Sequence, residues 1–157
     1  MKKLKTMVTQ SKTQKWDQLR SKHKHLLIDS IAVSHPNSAE GIDVSIRVHD
    51  ISGKTMKYVT FWLAPYNAVG DTVNCSVTGR SLRALRITGP IKTATGWDDV
   101  TTNSHHSWRE VWYNNAIECV ELTKAEVIFI DGTRYTFLKE VPKILSKKVA
   151  NDCSYKE

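Results

Sequence analysis

From residue 41 onward, apolar and polar residues alternate with a period of two, which is the pattern of a half-buried β-strand. Between Ile42 and Val48 every second residue is apolar, and the residues between them are polar. Further β-branched and aromatic runs follow, each bounded by Gly, Pro or Asp-Gly turn signals. These runs occupy residues 56–63, 72–77, 82–88, 116–122, 125–130 and 134–138, and the runs at 116–122 and 125–130 could form one long strand with a kink. The pattern predicts an all-β fold of about seven short strands.

The segment before these strands has a different period. Its apolar side chains recur at helical spacing, at Trp16, Leu19, His23, Leu26 and Leu27. This spacing predicts a short amphipathic helix within residues 12–29. The helix could dock on the body of the protein, or it could be presented to a partner or to a membrane surface.

The order of the predicted strands favours a sandwich over a barrel or an α/β fold. Turns recur about every ten residues and no long helix separates the strands, so hairpin and Greek-key connections are expected. Residues 91–110 are rich in Thr, Asp, Ser and His and are predicted to be the longest irregular stretch. We therefore expect an immunoglobulin-like antiparallel β-sandwich preceded by the short helix.

Several short motifs between Gly41 and Thr133 point to a known type of domain. They occupy residues 41–46, 57–63, 65–71, 88–91, 111–114 and 130–133. With these motifs the chain resembles small bacterial immunoglobulin-like domains of uncharacterised families, loosely grouped with FxLYD-type sandwiches. The resemblance implies an accessory, non-catalytic module that is often attached to other parts, and it transfers no catalytic residue.

The charge distribution predicts three regions. Residues 1–30 hold eight Lys and Arg against two Asp and carry +6, whereas residues 31–140 carry −1 and residues 141–157 carry +2. We expect a basic N-terminal arm at 1–30 that includes the short helix, a sandwich at 31–140 and a basic tail at 141–157. A basic arm raises the expectation of a polyanionic partner.

Aromatic side chains concentrate in the predicted irregular stretch and just after it. Trp108 and Trp112 are four residues apart, which would place them on one face of a short helical turn. They could close one end of the core, or they could form a binding patch, because Trp, Tyr and Arg concentrate binding energy at interfaces. The candidate binding residues are Trp97, Trp108, Arg109, Trp112, Tyr113 and Trp16.

The sequence contains no motif for catalysis or for a cofactor. There is no Gly-x-Ser-x-Gly elbow, no phosphate-binding glycine loop and no metal-ligand spacing. His105 and His106 are neighbours near Asp98 and Asp99, but adjacent histidines seldom bind one ion. We therefore expect no enzyme, no cofactor and no metal.

The cysteines and the N-terminal residues indicate the cellular compartment in which the protein is expected. The three cysteines are Cys75, Cys119 and Cys153, and reduced thiols are expected in a cytoplasmic protein. The alternative is a Cys75–Cys119 bridge in an oxidising compartment. No run approaches the roughly 20 apolar residues of a membrane helix, and no apolar stretch follows the basic N-terminus. We expect a cytoplasmic protein, secreted only if a signal peptide has been removed.

Three functions follow from these patterns. The leading hypothesis is a protein-interaction module that binds through the aromatic 97–113 loop, the N-terminal helix, or both. The second is non-specific binding of nucleic acid. It would use the basic arm, with Lys2, Lys3, Lys5, Lys12, Lys15, Arg20, Lys22 and Lys24. The third and weakest is an enzyme whose site is assembled only in three dimensions.

Overall fold

The computed structural model describes residues 12–21, 25–34, 36–100 and 105–137. Residues 12–21 form a helix, α1, and a single turn of helix, α2, spans Trp97–Val100. Seven strands make up the rest of the regular structure. They are β1 (Leu26–Val33), β2 (Gly41–Asp50), β3 (Met56–Tyr66), β4 (Arg83–Ile91), β5 (His105–Tyr113), β6 (Cys119–Phe129) and β7 (Arg134–Phe137).

The strands form two antiparallel sheets that face each other. The three-stranded sheet has the order β1-β2-β5, and the four-stranded sheet has the order β4-β3-β6-β7. Apolar residues on the inner faces form the main core, among them Val44, Ile46, Phe61, Leu63 and Val127. The prediction of an all-β sandwich is confirmed.

Two strand predictions agree closely with the structure. Residues 116–130 were expected to hold a long strand with a kink, and β6 is one strand with an irregularity opposite Trp62 and Leu63. The turn at Asp131-Gly132 connects β6 to β7, and Gly132 has a φ of 89°, a conformation that favours glycine. The alternating pattern of β2 is also that of a half-buried strand.

The predicted strand at residues 72–77 is wrong. Thr72 makes an isolated bridge to Tyr66, and the chain then enters a turn. Val73 and Cys75 are nevertheless buried in the main core. Their alternation with exposed residues therefore reflects the burial of two side chains from a loop, and not a hydrogen-bonded ladder.

The boundary between arm and sandwich also differs from the prediction. Leu26 and Leu27 belong to β1, so the sandwich begins within residues 1–30 and the predicted helix ends before these leucines. Leu26 points into the main core, whereas Leu27 packs with Leu19 of α1 and with Ile51 in a second, smaller core. A strand buried on both faces reads as a continuous apolar run, which periodicity does not distinguish from a helix.

The described part of the chain contains no helix that is long and apolar enough to cross a membrane. The predicted tail at 141–157 lies outside the described residues.

Candidate functional site

Trp108 and Trp112 lie in an extended strand, so the prediction of a helical turn is wrong. The strand is irregular between the two tryptophans, since Trp108 is the register partner of Val44 and Trp112 that of Ile42, both of which are fully buried residues of β2. Trp112 is 1% exposed, and its indole N–H donates to the carbonyl of Ser81 at 2.6 Å. Trp108 packs against the main core, and its N–H donates to the carbonyl of Arg86 at 3.4 Å. Both tryptophans therefore close the side of the sandwich between β5 and β4.

The two neighbouring candidates have different surroundings. Arg109 is exposed, in a stretch of β5 where the register with β2 shifts. The hydroxyl of Tyr113 donates to the carboxylate of Glu110, and this hydrogen bond raises the pKa of Tyr113. Glu110 itself has a φ of 52°, and its N–H donates to Asp43 at 2.8 Å. Tyr113 is thus engaged in a contact within its own strand.

Trp16 and Trp97 are brought together at a second place. Trp16 on α1 and Trp97 on α2 pack on the second core and line a cleft of about 450 Å³. Lys15 lies 5.4 Å above the ring of Trp97, and Lys12 forms an ion pair with Asp98 at 3.3 Å. Helix α1 therefore docks on the body, and its cations contact groups of the same chain.

The buried carboxyl of Asp50 holds the chain next to this second core. Asp50 is 1% exposed, and its Oδ1 accepts hydrogen bonds from the N–H and hydroxyl of Ser52 at 2.9 and 2.6 Å. Its backbone carbonyl accepts from the N–H of Ala94, in the segment that leads into α2. Burial raises the pKa of the Asp50 carboxyl, and the hydrogen bonds from Ser52 oppose that rise.

A third place combines aromatic and cationic side chains and remains open to solvent. It is a groove of about 550 Å³ on the side of the sandwich where β4 and β5 are the edge strands. We call it the Trp62 groove. The described residues that line it include two tryptophans, two arginines and no carboxylate, namely Trp62, Thr78, Arg80, Leu82, Arg83, Ala84, Val111 and Trp112.

Trp62 reaches this groove because it lies on the outer face of β3. Its neighbours Phe61 and Leu63 are fully buried, so alternation turns Trp62 away from the core. On one side Lys124 lies 4.5 Å above the indole. On the other side its register partner is Ala84 of β4, and Trp62 itself is half-buried.

The loop that carries Arg80 is tied to β5. The N–H and the hydroxyl of Ser76 both donate to the carbonyl of Tyr113, at 2.8 and 2.6 Å. The N–H of Cys75 donates to the carbonyl of Arg80 at 2.8 Å, which closes the loop on itself. Gly79 has a φ of 72° at the turn. The rim of the groove is therefore held in place by backbone hydrogen bonds.

Cys75 anchors the same loop from inside the core. Burial raises the pKa of its thiol, but hydrogen bonds from the backbone of Thr78 and Tyr113 outweigh that effect and lower the pKa to about 7. The N–H of Tyr113 lies 3.3 Å from the Cys75 sulfur. This thiol thus helps to position the loop against β5.

The cysteine predictions need correction. Cys75 is a free thiol, which excludes the Cys75–Cys119 bridge. Cys119 is disulfide-bonded, so the prediction that all three cysteines are reduced is also wrong. Both described cysteines are buried.

Sequence reasoning missed the Trp62 groove. The residues of β3 that face outward include Tyr58 and Trp62, and a period-two reading separates them from Val59, Phe61 and Leu63. That signal was present in the sequence. The arginines of the rim could not be assigned, because Arg80 lies in the loop before β4 and Arg83 is the register partner of Leu63. They line one groove with Trp62 only in the folded chain.

The remaining predicted groups do not form a metal site. Within the described ranges, no cluster of three or more His, Cys, Asp or Glu side chains is placed to hold an ion. Of the basic arm, Lys2, Lys3, Lys5, Lys22 and Lys24 lie outside the described residues.

Comparison with protein-family models, curated proteins and solved structures finds no match for this chain. The resemblance to FxLYD-type domains therefore stays a prediction.

Proposed function

We propose that this protein is a non-catalytic interaction module with an immunoglobulin-like sandwich, and that it recognises another protein through the Trp62 groove. The sheet order supports the fold assignment. The chain passes between the sheets after β2, after β4 and after β5, so that β5 pairs with β2 while β6 pairs with β3. Crossings of this kind are typical of Greek-key sandwiches such as immunoglobulin and fibronectin domains.

The observation that carries the functional proposal is the groove that the half-buried Trp62 lines together with the exposed Arg80 and Arg83. Trp and Arg are the residue types that contribute most binding energy at protein interfaces, especially around a pocket that a partner can fill. The groove offers such a pocket on a rim that is already fixed by hydrogen bonds. The contact surface thus moves from the predicted 97–113 loop to the strand pair β3–β4.

The proposed contact surface differs from the binding residues that were predicted from the sequence. Trp112 contributes to the wall of the groove while its ring is buried, and Trp108 fills the side of the core. Trp16 of α1 and Trp97 of α2 both pack against the second core. These residues support the shape of the module, and Trp62 is the side chain that a partner would cover.

The contacts of the described arm residues favour protein over nucleic acid. Lys12 pairs with Asp98, Lys15 covers Trp97 and Arg20 lies 5.7 Å from the ring of Trp16. Non-specific binding to nucleic acid requires cations that can neutralise phosphates. Cations that already contact their own chain lose those contacts when they bind phosphate.

Affinity capture with the full chain tests the function. The wild type and Trp62→Ala are compared as baits, with Tyr135→Ala as a control that removes an exposed aromatic ring outside the groove. We expect a partner that is retained by the wild type and the control, in the presence of nuclease, and lost with Trp62→Ala. Equal retention by all three baits would contradict the proposal, and loss of every captured protein on nuclease treatment would favour nucleic acid.

We also propose that the protein works in an oxidising compartment and not in the cytoplasm. Disulfides persist in secreted and periplasmic proteins and are rare in reducing compartments. The bridge at Cys119 therefore supports export. Alkylation of protein isolated from its native cells tests this: Cys119 should react only after reduction, and labelling of Cys119 without reduction would contradict it.

A further inference from the structure

The charges around the Trp62 groove are unbalanced. Arg80 and Arg83 line it together with apolar and hydroxyl groups, and no Asp or Glu is among the lining residues that the structure describes. Among the described residues, the ion pairs identified are Lys12–Asp98 and Lys54–Asp131, neither of which involves these arginines. Two guanidinium groups thus face the same cavity without a carboxylate partner.

Guanidinium groups in this setting favour carboxylates as ligands. Arginine binds a carboxylate through two parallel N–H···O hydrogen bonds, and such charge-assisted bonds are stronger than neutral ones. The half-buried Trp62 also belongs to the lining of the groove, and its indole offers an apolar surface. A ligand that fits therefore carries negative charge at the rim and an apolar side chain between the charges.

We infer that the Trp62 groove binds an acidic segment of the partner protein, with carboxylates on Arg80 and Arg83 and an apolar side chain on the ring of Trp62. This inference rests on the proposed function and names the chemistry of its partner. The loop of Arg80 is already fixed to β5, so that binding orders few additional groups and little affinity is lost to ordering.

Titration with defined peptides tests the inference. The probe is the acetylated and amidated pentapeptide EEFEE, with QQFQQ as its neutral counterpart and a ten-nucleotide oligo-dT as the nucleic-acid arm. Binding is followed by the indole N–H resonances of the full-length protein. We expect EEFEE to shift the Trp62 resonance more than that of Trp97, and to bind at least about tenfold more tightly than QQFQQ, the ratio that one charge-assisted hydrogen bond supplies.

Matched variants locate the effect. The double change Arg80→Gln and Arg83→Gln should weaken EEFEE about tenfold or more, whereas Arg134→Gln, which removes an exposed arginine of β7, should not. All variants must keep the wild-type unfolding midpoint. Equal binding of EEFEE and QQFQQ, no binding of EEFEE, or tighter binding of oligo-dT would each overturn the inference.

The captured partner distinguishes this inference from the proposed function. If the partner is lost with Trp62→Ala and kept with the double arginine variant, the interaction module stands and the acidic segment is wrong. If the partner is kept with both variants, the groove is not the interface and both proposals fail.

Discussion

Two regions of this molecule combine tryptophan with basic side chains, and they use them differently. At the contact between α1 and α2, the half-buried Trp16 and Trp97 pack on the second core, and Lys12 and Lys15 contact Asp98 and Trp97. At the Trp62 groove, Trp62 is also half-buried, but Arg80 and Arg83 are exposed and form no ion pair with a described residue. The first arrangement holds a helix on the body, and the second offers a surface to a ligand.

Residue type alone therefore does not distinguish a structural role from a role in recognition. Aromatic and cationic side chains satisfy one another wherever two elements of the chain meet. Where one side of the contact is missing, the same side chains are left as an incomplete interface. The following predictions test whether the two regions differ in this way.

The largest effect on stability is expected at the wall of the groove. Trp112→Ala removes a ring from the main core and leaves the Ser81 carbonyl without its indole donor. We expect a loss of roughly 3–5 kcal/mol in the free energy of unfolding, measured by chemical denaturation. Trp62→Ala, the matched change on the outer face, should cost about 1 kcal/mol. Similar losses for both variants would show that Trp62 is structural and not free for a partner.

A smaller and more local effect is expected at α1. Within residues 12–21, Leu19 alone is buried, and it packs on Leu27 and Ile51. Leu19→Ala should weaken this docking by about 2 kcal/mol, the lower end for a buried leucine, because the second core is small. Hydrogen exchange should become faster in α1 and stay slow in β3. Faster exchange throughout would mean that α1 is required for the whole sandwich.

The buried carboxyl of Asp50, next to the second core, should make the free energy of unfolding depend on pH. Because burial raises the pKa of Asp50 above the 3.8 of an ordinary aspartate, the native state binds this proton more tightly than the unfolded state. Asp50 therefore stabilises the fold at pH values below its unfolded pKa, and this contribution is lost as the pH rises through its native pKa.

The variant Asp50→Asn should remove this dependence, and it should unfold at higher denaturant than the wild type at pH 7. Asparagine keeps an oxygen that can accept from Ser52. The comparison is a series of unfolding curves between pH 3 and pH 7. A variant less stable than the wild type at pH 7, with an unchanged pH profile, would show that the ionised carboxylate is stabilising.

The smallest effects are expected for the exposed cations. The side chains of Lys12 and Asp98 are 55% and 79% exposed, so Lys12→Ala should change the free energy of unfolding by less than about 0.5 kcal/mol. Arg83→Gln should change the free energy of unfolding by a similarly small amount. The two variants should differ in capture of the partner, which Lys12→Ala preserves and Arg83→Gln weakens. Loss of the partner with Lys12→Ala would move the interface to α1.

The sandwich could be predicted because its inner faces follow a simple period. Val44, Ile46, Phe61 and Leu63 alternate with outward residues, and that pattern needs no knowledge of the partner strand. β1 was not predicted, because Leu27 is buried by α1 while Leu26 is buried by the opposite sheet. Burial on both faces removes the alternation on which the reading depends.

The site was harder to predict because its members come from separate strands. The Trp108 and Trp112 pair was noticed for its spacing, yet in β5 that spacing directs both rings inward. The residue that stays open, Trp62, lies in a run that looked like ordinary strand core. Which of two tryptophans is covered depends on the strand beside it, and sequence spacing does not contain that information.

The indole hydrogen bonds of Trp108 and Trp112 have a consequence for the behaviour of many copies of this protein. An edge strand normally exposes carbonyl groups on which a second chain can form a sheet, and this is a common start of aggregation. Here the carbonyls of Arg86, within β4, and of Ser81, just before it, already accept hydrogen bonds from β5. The two indole groups therefore occupy two carbonyls on this side of the sandwich that could otherwise accept hydrogen bonds from a second copy of the chain.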